Sequence, residues 1–276
     1  MLAFVAAAQD PELDLAKWIQ QGTPMGVARH INARGVFPTV DTKVPTQRET
    51  DAIWSQSAVG GNYQSFKDAG PLAEAELQRT IDAGLAEFVG TFAEAKKRYG
   101  NIAVSKLACI VKDKPDGSKK VRIVVDLRRS LVNSLVVAPE RVVLPRLRDV
   151  LEDAVVLIRE CKQHEQVEAM VSDFEDAFRS LPVHPDEEQH CLARIKHDLV
   201  LVFKTVMFGG TSSPLTWGRA AAFLNRGGAS KFDADELALQ CYVDDPITVA
   251  KGDRETRRRR FALVILWFLV FGLRMS

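Results

Sequence analysis

Two acidic clusters carry the side chains best suited to metal chemistry. The pair Asp244 and Asp245 follows the largely apolar run 237–243, and Asp173 follows the short apolar run 169–171. Adjacent aspartates repel each other, and either protonation or a bound cation relieves that repulsion. An isolated pair is more often a solvated turn, but the apolar residues before each cluster indicate strands that end at the surface. If the two strands are neighbours in one sheet, the three carboxylates form a ligand set for two Mg²⁺ ions.

A second chemical feature is a cationic turn. Residues 103–112 and 121–127 have the composition of two strands, and the Pro/Asp-Gly turn between them carries Lys114, Lys119 and Lys120. Two interpretations remain open here, a lysine-decorated turn and a phosphate clamp. Arg122, on the second strand, is the more informative cation because its guanidinium can bind two phosphate oxygens at once.

A glycine-rich loop precedes another predicted helix. Residues 209–214 read GGTSSP, with Ser213 as the predicted N-cap and Pro214 at the first helical position of a helix to about Leu224. Glycines such as Gly209 permit close approach of a ligand to the backbone. A plain strand-to-helix turn is the alternative, although it would need only one glycine.

The remaining elements position these clusters. We predict one long amphipathic helix over residues 71–99, a helix over 147–161, and a hairpin that pairs 191–195 with 199–206. A short helix is predicted from Asp176, ended by Pro182. The last predicted helix runs from Asp253 to near Gly272 and carries four arginines, residues 257–260, of which at most two can face one partner. A solvated surface and a nucleic-acid contact both fit those arginines.

Composition limits the function classes. The chain has 276 residues with 46% hydrophobic and 26% charged residues and a net charge of +1, so nucleic-acid binding would depend on local basic patches. Its four cysteines are widely spaced, which indicates neither a zinc site nor a disulfide framework. We therefore expect an intracellular protein, cytoplasmic or nuclear, without a signal peptide. The apolar run 261–273 is shorter than the roughly 17–25 residues of a membrane-spanning helix, so we expect a buried core helix and no membrane partner.

Taken in order, these segments resemble the reverse transcriptases of retroviruses and LTR-type retroelements, from about residue 71 to the end. Residues 120–133 (KVRIVVDLRRSLVN) look like the family's fingers strand, and residues 143–147 (VLPRL) look like its PLPR segment. Residues 173–178 (DFEDAF), 208–214 (FGGTSSP) and 242–245 (YVDD) match its motifs A, B and C. Each motif alone is weak evidence, whereas the ordered set is specific. Viral RNA-dependent RNA polymerases fit less well, since they typically carry Gly-Asp-Asp in motif C.

The resemblance implies an α+β fold of the right-hand polymerase type, with fingers and an antiparallel palm sheet packed on helices. It implies an RNA-directed DNA polymerase in which Asp173, Asp244 and Asp245 are catalytic and bind two Mg²⁺ ions, with the Phe174 carbonyl as a further ligand. The partners would be deoxynucleoside triphosphates and an RNA or DNA template with its primer. The chain would belong to a retroelement and could be part of a longer polyprotein.

The resemblance also implies roles around the nucleotide. Asp176 and Ala177 would offer backbone N–H groups to the triphosphate, and Arg122, assisted by Lys114 or Lys120, would bind its outer phosphates. Gly209 is assigned to the same site. Phe178 stands where the family has an aromatic gate against the sugar 2′-hydroxyl, a role that is compatible with a packed core phenylalanine.

Three departures from the family's pattern keep open a second hypothesis, that the chain is not catalytic. Pro246 follows the second aspartate, and we expect its missing N–H to delete one hydrogen bond of the hairpin. Phe208 stands where retroviral enzymes have Gln, although many LTR elements also have Phe. The sequence ends where the motif D lysine is expected, before any thumb, connection or RNase H segment.

The resemblance gives a domain division of residues 1–70 as an irregular N-terminal extension, 71–170 as fingers and 171–276 as a truncated palm. Pro246 and the truncation favour a non-catalytic remnant or a polymerase-like scaffold that binds nucleic acid or protein. The retained aspartates, Arg122 and the aromatic gate favour the enzyme.

Overall fold

The computed structural model describes residues 9–56 and 61–275. Its strands are β1 (Ala86–Thr91), β2 (Val104–Asp113), β3 (Lys119–Asp126), β4 (Gln166–Val171), β5 (Leu192–Lys196), β6 (Leu199–Phe203), β7 (Leu237–Tyr242) and β8 (Asp245–Gly252). Its α-helices are α1 (Leu15–Gln21), α2 (Gln47–Gln56), α3 (Gln64–Ala69), α4 (Pro71–Asp82), α5 (Phe92–Tyr99), α6 (Val132–Leu135), α7 (Leu147–Arg159), α8 (Ser213–Ala229) and α9 (Arg254–Val270). Short 3₁₀ helices lie at Ala177–Ser180 and Pro185–His190.

The strands form two sheets. The larger has the order β1-β6-β5-β2-β3, and its pairs are antiparallel except for β2 with β5. The predicted hairpins β2–β3 and β5–β6 are both present. Buried side chains from both sheets, including Leu107 and Leu237, belong to one apolar core. The sheets are therefore held together by shared packing.

The smaller sheet brings the two acidic clusters together. Its order is β4-β8-β7, fully antiparallel, with Val171 of β4 opposite Ile247 of β8. Asp173 follows β4 by two residues, Asp244 lies in the turn before β8, and Asp245 is the first residue of β8. The strand beside β4 is thus β8, the second strand of the hairpin, and this register puts all three aspartates at one end of the sheet.

The prediction of a single long helix over residues 71–99 is wrong. The structure divides it into α4, β1 and α5. Gly84 lies between α4 and β1 with a left-handed φ of +71°, which ends the helix at little cost. Residues of β1 then pair with β6, and Thr91 and Glu94 form a capping box that begins α5. The apolar spacing of this stretch also fits a helix, and it is the tertiary pairing of β1 with β6 that makes part of it a strand.

The predicted helix after the glycine-rich loop is present with different ends. It runs from Ser213 to Ala229, beyond the predicted end near Leu224, and its N-cap is Ser212 instead of Ser213. The Ser213 hydroxyl instead donates to the Met207 carbonyl at 2.8 Å, so it binds the chain that enters the loop.

Helix α9 differs from the expected buried core helix. Val264 and Phe268 are buried, but Leu266 and Val270 are 55% and 79% exposed. The arginines divide in the same way, since Arg257 binds Glu168 and Arg260 binds Glu236, while residues 258 and 259 are exposed. Within residues 9–56 and 61–275, no helix is both long and apolar enough to cross a membrane.

Ion pairs fix the residues before α1 to α8, and Arg34, after α1, joins the same group through Asp14. The Arg219 guanidinium is fully buried, binds Glu12 and Asp14, and lies 4.5 Å from the centre of the Trp18 ring. Arg226 of α8 binds Asp10, and Arg34 binds Asp14. We call this group of carboxylates and arginines the N-terminal clamp. It ties the start of the described chain to the helix that packs beneath β7.

Candidate polymerase active site

The three predicted metal ligands meet in space. Asp173, Asp244 and Asp245 are half-buried, and each offers a carboxylate oxygen within 4.8 Å of the others. Backbone hydrogen bonds fix this arrangement, because the Phe174 N–H donates to the Asp244 carbonyl at 2.8 Å and the Ser172 N–H donates to the Pro246 carbonyl at 3.1 Å. The sheet therefore holds one acidic cluster directly against the other.

Electrostatics in this triad favours a cation. Partial burial, together with the negative charges of Asp244 and Asp173, raises the pKa of Asp245. Carboxylate oxygens are the hard ligands that Mg²⁺ prefers, and a divalent ion among them would relieve the repulsion that this raised pKa reports. The donor set of the three aspartates fits Mg²⁺.

The turn that carries Asp244 has a strained backbone. Val243 and Asp244 form the two-residue loop between Tyr242 and Asp245, and Val243 has a φ of +59°. A positive φ at only the first loop position matches a type II′ turn, which normally has glycine there. A β-branched residue in this conformation is an outlier of the kind that persists where its surroundings enforce it.

Pro246 affects a different contact from the one expected. In an antiparallel strand the N–H and C=O of one residue point to the same neighbour, and the Pro246 carbonyl accepts from Ser172 next to β4. The missing donor of Pro246 therefore faces the β4 side. The β7–β8 hairpin keeps its register through Tyr242 and Asp245.

A cavity of about 470 Å³ opens beside the triad. Asp173 and Asp244 line it, together with cations of the β2–β3 hairpin. Its lining includes the predicted residues Lys114, Lys120, Arg122, Asp176 and Ala177 and the motif residues Phe174 and Phe208. A lining that combines carboxylates with cations suits a metal-bound polyphosphate.

Three charged residues on the same wall were missed from the sequence. Arg79 donates to Glu76 through two nitrogens at 2.9 and 2.7 Å, and the buried Arg179 lies 3.5 Å from Glu76. Asp176 joins this group, with φ +52° and contacts of 3.9 Å to Arg79 and 3.7 Å to Arg179. Arg179 directly follows Phe178, but Glu76 and Arg79 lie in the stretch assigned to one long helix, where no spacing marked them.

Phe178 lies just outside the described lining of the cavity and is buried. Its ring packs 5.1 Å from Phe208 and 6.5 Å from Trp217, and the Arg122 guanidinium lies 5.2 Å from the centre of the Phe208 ring. An aromatic row therefore connects Arg122, on β3, to α8. Phe208, noted from the sequence only as a departure, supports Arg122 by a cation–π contact.

Close packing against β3 requires a glycine at position 209. A Cβ atom on Gly209, which has φ +107°, would lie 2.3 Å from the Val125 carbonyl oxygen, so only glycine fits. Asn133 holds the loop from the other side, since its Nδ2 donates to the Gly209 carbonyl at 2.8 Å and its Oδ1 accepts from the Thr211 N–H at 3.0 Å. Gly209 is not among the described residues that line the cavity, and its contact with nucleotide stays a prediction.

Comparison with known proteins supports the fold. No protein-family model matches the sequence, and no curated protein matches it. Two solved structures of prototype foamy virus protease-reverse transcriptase are similar in fold, at 16% sequence identity each. The native form covers 79% of this chain with a TM-score of 0.50, and the selenomethionine-labelled CSH mutant covers 80% with a TM-score of 0.51. The chain spans only about a quarter of each, 24% and 26%.

This similarity and the two-sheet structure confirm the predicted fold class, an α+β fold of the reverse transcriptase type with strands packed on helices.

Proposed function

We propose that this chain carries the fingers and palm of a retroelement's RNA-directed DNA polymerase, which transfers a nucleotide from a deoxynucleoside triphosphate to a primer 3′-hydroxyl. The observation that carries the proposal is the approach of the Asp173, Asp244 and Asp245 carboxylates to within 4.8 Å of one another. They do so beside a cavity with arginines and lysines in its wall. The fold likeness to reverse transcriptases supports the same reading at the level of the scaffold.

Asp173, Asp244 and Asp245 would hold Mg²⁺, with the Phe174 carbonyl as a further ligand. Two bound Mg²⁺ ions supply the Lewis acidity that activates the attacking hydroxyl and stabilises the leaving pyrophosphate. The protein's own contribution is position. The hydrogen bond from the Phe174 N–H to the Asp244 carbonyl keeps the two acidic clusters in contact before any ligand arrives.

The cavity residues would orient the triphosphate. Arg122 and Lys120, on β3, line the same cavity as Asp173 and Asp244 and would bind the outer phosphates. Asp176, held in a left-handed conformation, and Ala177 begin the 3₁₀ helix and would present backbone N–H groups to the same phosphates. Phe178, fixed between Phe208 and Trp217, would exclude a 2′-hydroxyl.

The domain division is part of the proposal, with residues 71–170 as fingers and 171–276 as palm. The matched foamy virus protein is a protease-reverse transcriptase. We propose a similar polyprotein setting here, in which an RNA or DNA template-primer is held by additional domains.

Primer extension tests this function. The purified chain, alone and extended through any downstream segment that the parent locus encodes, is incubated with an RNA template, a DNA primer, dNTPs and Mg²⁺. We expect extension that requires Mg²⁺ and is lost in Asp244→Asn, because a neutral amide is a poor ligand for Mg²⁺. The matched control is Asp198→Asn, which makes the same change in the exposed β5–β6 turn.

Two outcomes would contradict the proposal. Extension that is undiminished in Asp244→Asn would exclude this metal site. If folded protein shows no extension, and its nucleic-acid binding is salt-sensitive but independent of Mg²⁺, the chain is instead a non-catalytic scaffold.

A further inference from the structure

Trp217, on α8, contacts a residue next to each of the two acidic clusters. Its side chain is 1% exposed, and its indole Nε1–H donates to the Val243 carbonyl at 2.6 Å. Its ring meets Phe174 edge-on, with 5.6 Å between the ring centres. Phe174 is next to Asp173 and Val243 is next to Asp244, so one rigid side chain spans the residues that flank the first two carboxylates.

The Val243 end of this contact needs support. Val243 holds its strained φ of +59° within the turn that aims Asp244 and Asp245. Its carbonyl accepts the indole N–H and, at 3.4 Å, the thiol of Cys241. A thiol is a weak donor, so the indole supplies most of the stabilisation of this carbonyl orientation.

The Phe174 end is held from two sides. The Phe174 ring is 2% exposed and packs between Trp217 and Phe268, whose ring centre is 4.9 Å away. Phe174 thus cannot move away from the indole without disturbing α9. The distance from Asp173 to the turn is therefore set through side-chain packing as well as through the sheet.

We propose that Trp217 is the positioning residue of the metal site: its indole N–H fixes the Val243 turn while its ring fixes Phe174, which sets the spacing of Asp173 from Asp244 and Asp245. This inference rests on the proposed function, because it takes the three carboxylates as the metal ligands. Groups that orient metal ligands typically change metal affinity by about 10–100-fold when they are mutated.

The chain offers a matched control for the test. Trp267, on α9, also donates its indole N–H to a backbone carbonyl, that of Leu224 at 2.8 Å, and packs on the Phe271 ring at 4.7 Å. Trp217→Phe and Trp267→Phe each remove one indole donor and keep an aromatic ring. The probe is Mn²⁺, whose binding is followed by electron paramagnetic resonance without nucleotide or template, and urea unfolding checks that each variant folds.

We expect Trp217→Phe to weaken Mn²⁺ binding about tenfold, and Trp267→Phe to leave it at the wild-type value. In a Val243→Gly background, where a left-handed turn needs no support, the loss caused by Trp217→Phe should shrink. Equal loss in both backgrounds, or equal loss in both tryptophan variants, would overturn the assignment.

The variant Asp244→Asn distinguishes a failure of this inference from a failure of the proposed function. If wild-type protein binds Mn²⁺ no better than Asp244→Asn, the metal site itself fails. If the wild type binds and Asp244→Asn does not, yet Trp217→Phe matches the wild type, the site stands and the role of Trp217 fails.

A second measurement covers the case in which Trp217→Phe does not fold. The indole N–H signals of ¹⁵N-labelled wild-type protein are followed by NMR during a Mg²⁺ titration, with the Trp267 signal as internal reference. We expect the Trp217 signal to shift and its exchange with solvent to slow, while the Trp267 signal stays unchanged. A Trp217 signal that does not respond while Mg²⁺ binds to the triad would overturn the proposal.

Discussion

Two groups of acidic residues in this chain have opposite electrostatics. In the N-terminal clamp, burial alone would raise the pKa of Asp10 and Asp14, but Arg226 bound to the first and Arg34 and Arg219 bound to the second lower both values. In the triad, burial and neighbouring carboxylates raise the pKa of Asp245. The same side-chain type is stabilised as an anion in one place and destabilised in the other.

The difference is between carboxylates that are already neutralised within the fold and carboxylates that remain available to a ligand. An arginine that neutralises a buried carboxylate fixes two segments of chain together, but it also occupies the oxygens that a ligand would need. Carboxylates that repel one another cost stability and retain a demand for an external cation. Stability and ligand binding should therefore respond in opposite ways to changes in the two groups.

The largest expected effect is the loss of the arginine at the centre of the clamp. Arg219→Met keeps an unbranched apolar stem but leaves the fully buried Glu12 without its ion-pair partner. Removing one partner of a buried pair typically costs about 3–5 kcal/mol. Urea unfolding, read as the free energy of unfolding, measures the effect.

The matched control for that variant is Arg226→Met, on the same helix. The Arg226 side chain is 38% exposed, so solvent screens its pair with Asp10 and we expect a loss of about 1 kcal/mol or less. Equal losses in the two variants would mean that burial does not distinguish the central pair and that the clamp is not the structural unit described here.

The clamp also shows what the sequence could not reveal. Asp173 and the Asp244–Asp245 pair were predictable because apolar runs lead into each, and short-range patterns of that kind fix strands and hairpins. Glu12 and Arg219 are 207 residues apart, and no local spacing connects them. The same limit explains the missed helix end near Gly84, since β1 exists only through its pairing with β6. Trp217 was likewise missed because its partner Val243 belongs to another element.

An intermediate effect should come from acid, through a buried histidine that is not part of the clamp. Burial lowers the pKa of His190 to about 4. The Glu187 carboxylate, whose Oε2 lies 3.8 Å from His190 Nε2, accepts hydrogen bonds from the backbone N–H groups of Met25 and Ala28. His190 stays neutral in the folded protein and becomes charged when the chain unfolds, so its contribution to stability is complete above about pH 6.5 and is lost as pH falls toward 4. The expected slope is about 1.4 kcal/mol per pH unit.

Unfolding curves across this pH range, for the wild type and for His190→Gln, measure that contribution. The variant should show a shallower loss of stability with acid, and His197→Gln, in the exposed β5–β6 turn, should keep the wild-type slope. If His190→Gln leaves the slope unchanged, protonation of this histidine does not contribute to unfolding by acid.

The smallest effect is also the sharpest test, because the two groups should differ in sign. Glu12→Gln and Asp245→Asn make the same chemical change, from carboxylate to amide. Glu12 accepts two bonds from Arg219, so the first change should cost about 1.5–3 kcal/mol. Asp245 repels Asp244 and Asp173, so the second should gain about 0.2–0.5 kcal/mol, limited by solvent screening. Both are measured by urea unfolding in EDTA.

Adding Mg²⁺ should then raise the wild type above Asp245→Asn in stability. At ten times its dissociation constant a ligand adds about 1.4 kcal/mol to the state that binds it, so wild-type protein and Glu12→Gln should both become more stable while Asp245→Asn should not. A destabilised Asp245→Asn in EDTA would mean that this carboxylate has a structural partner and belongs with the clamp. Equal stabilisation of all three proteins by Mg²⁺ would mean that the ion binds away from Asp245. Only the combination of a gain without metal and no response to metal fits a carboxylate whose stabilising partner is an external cation.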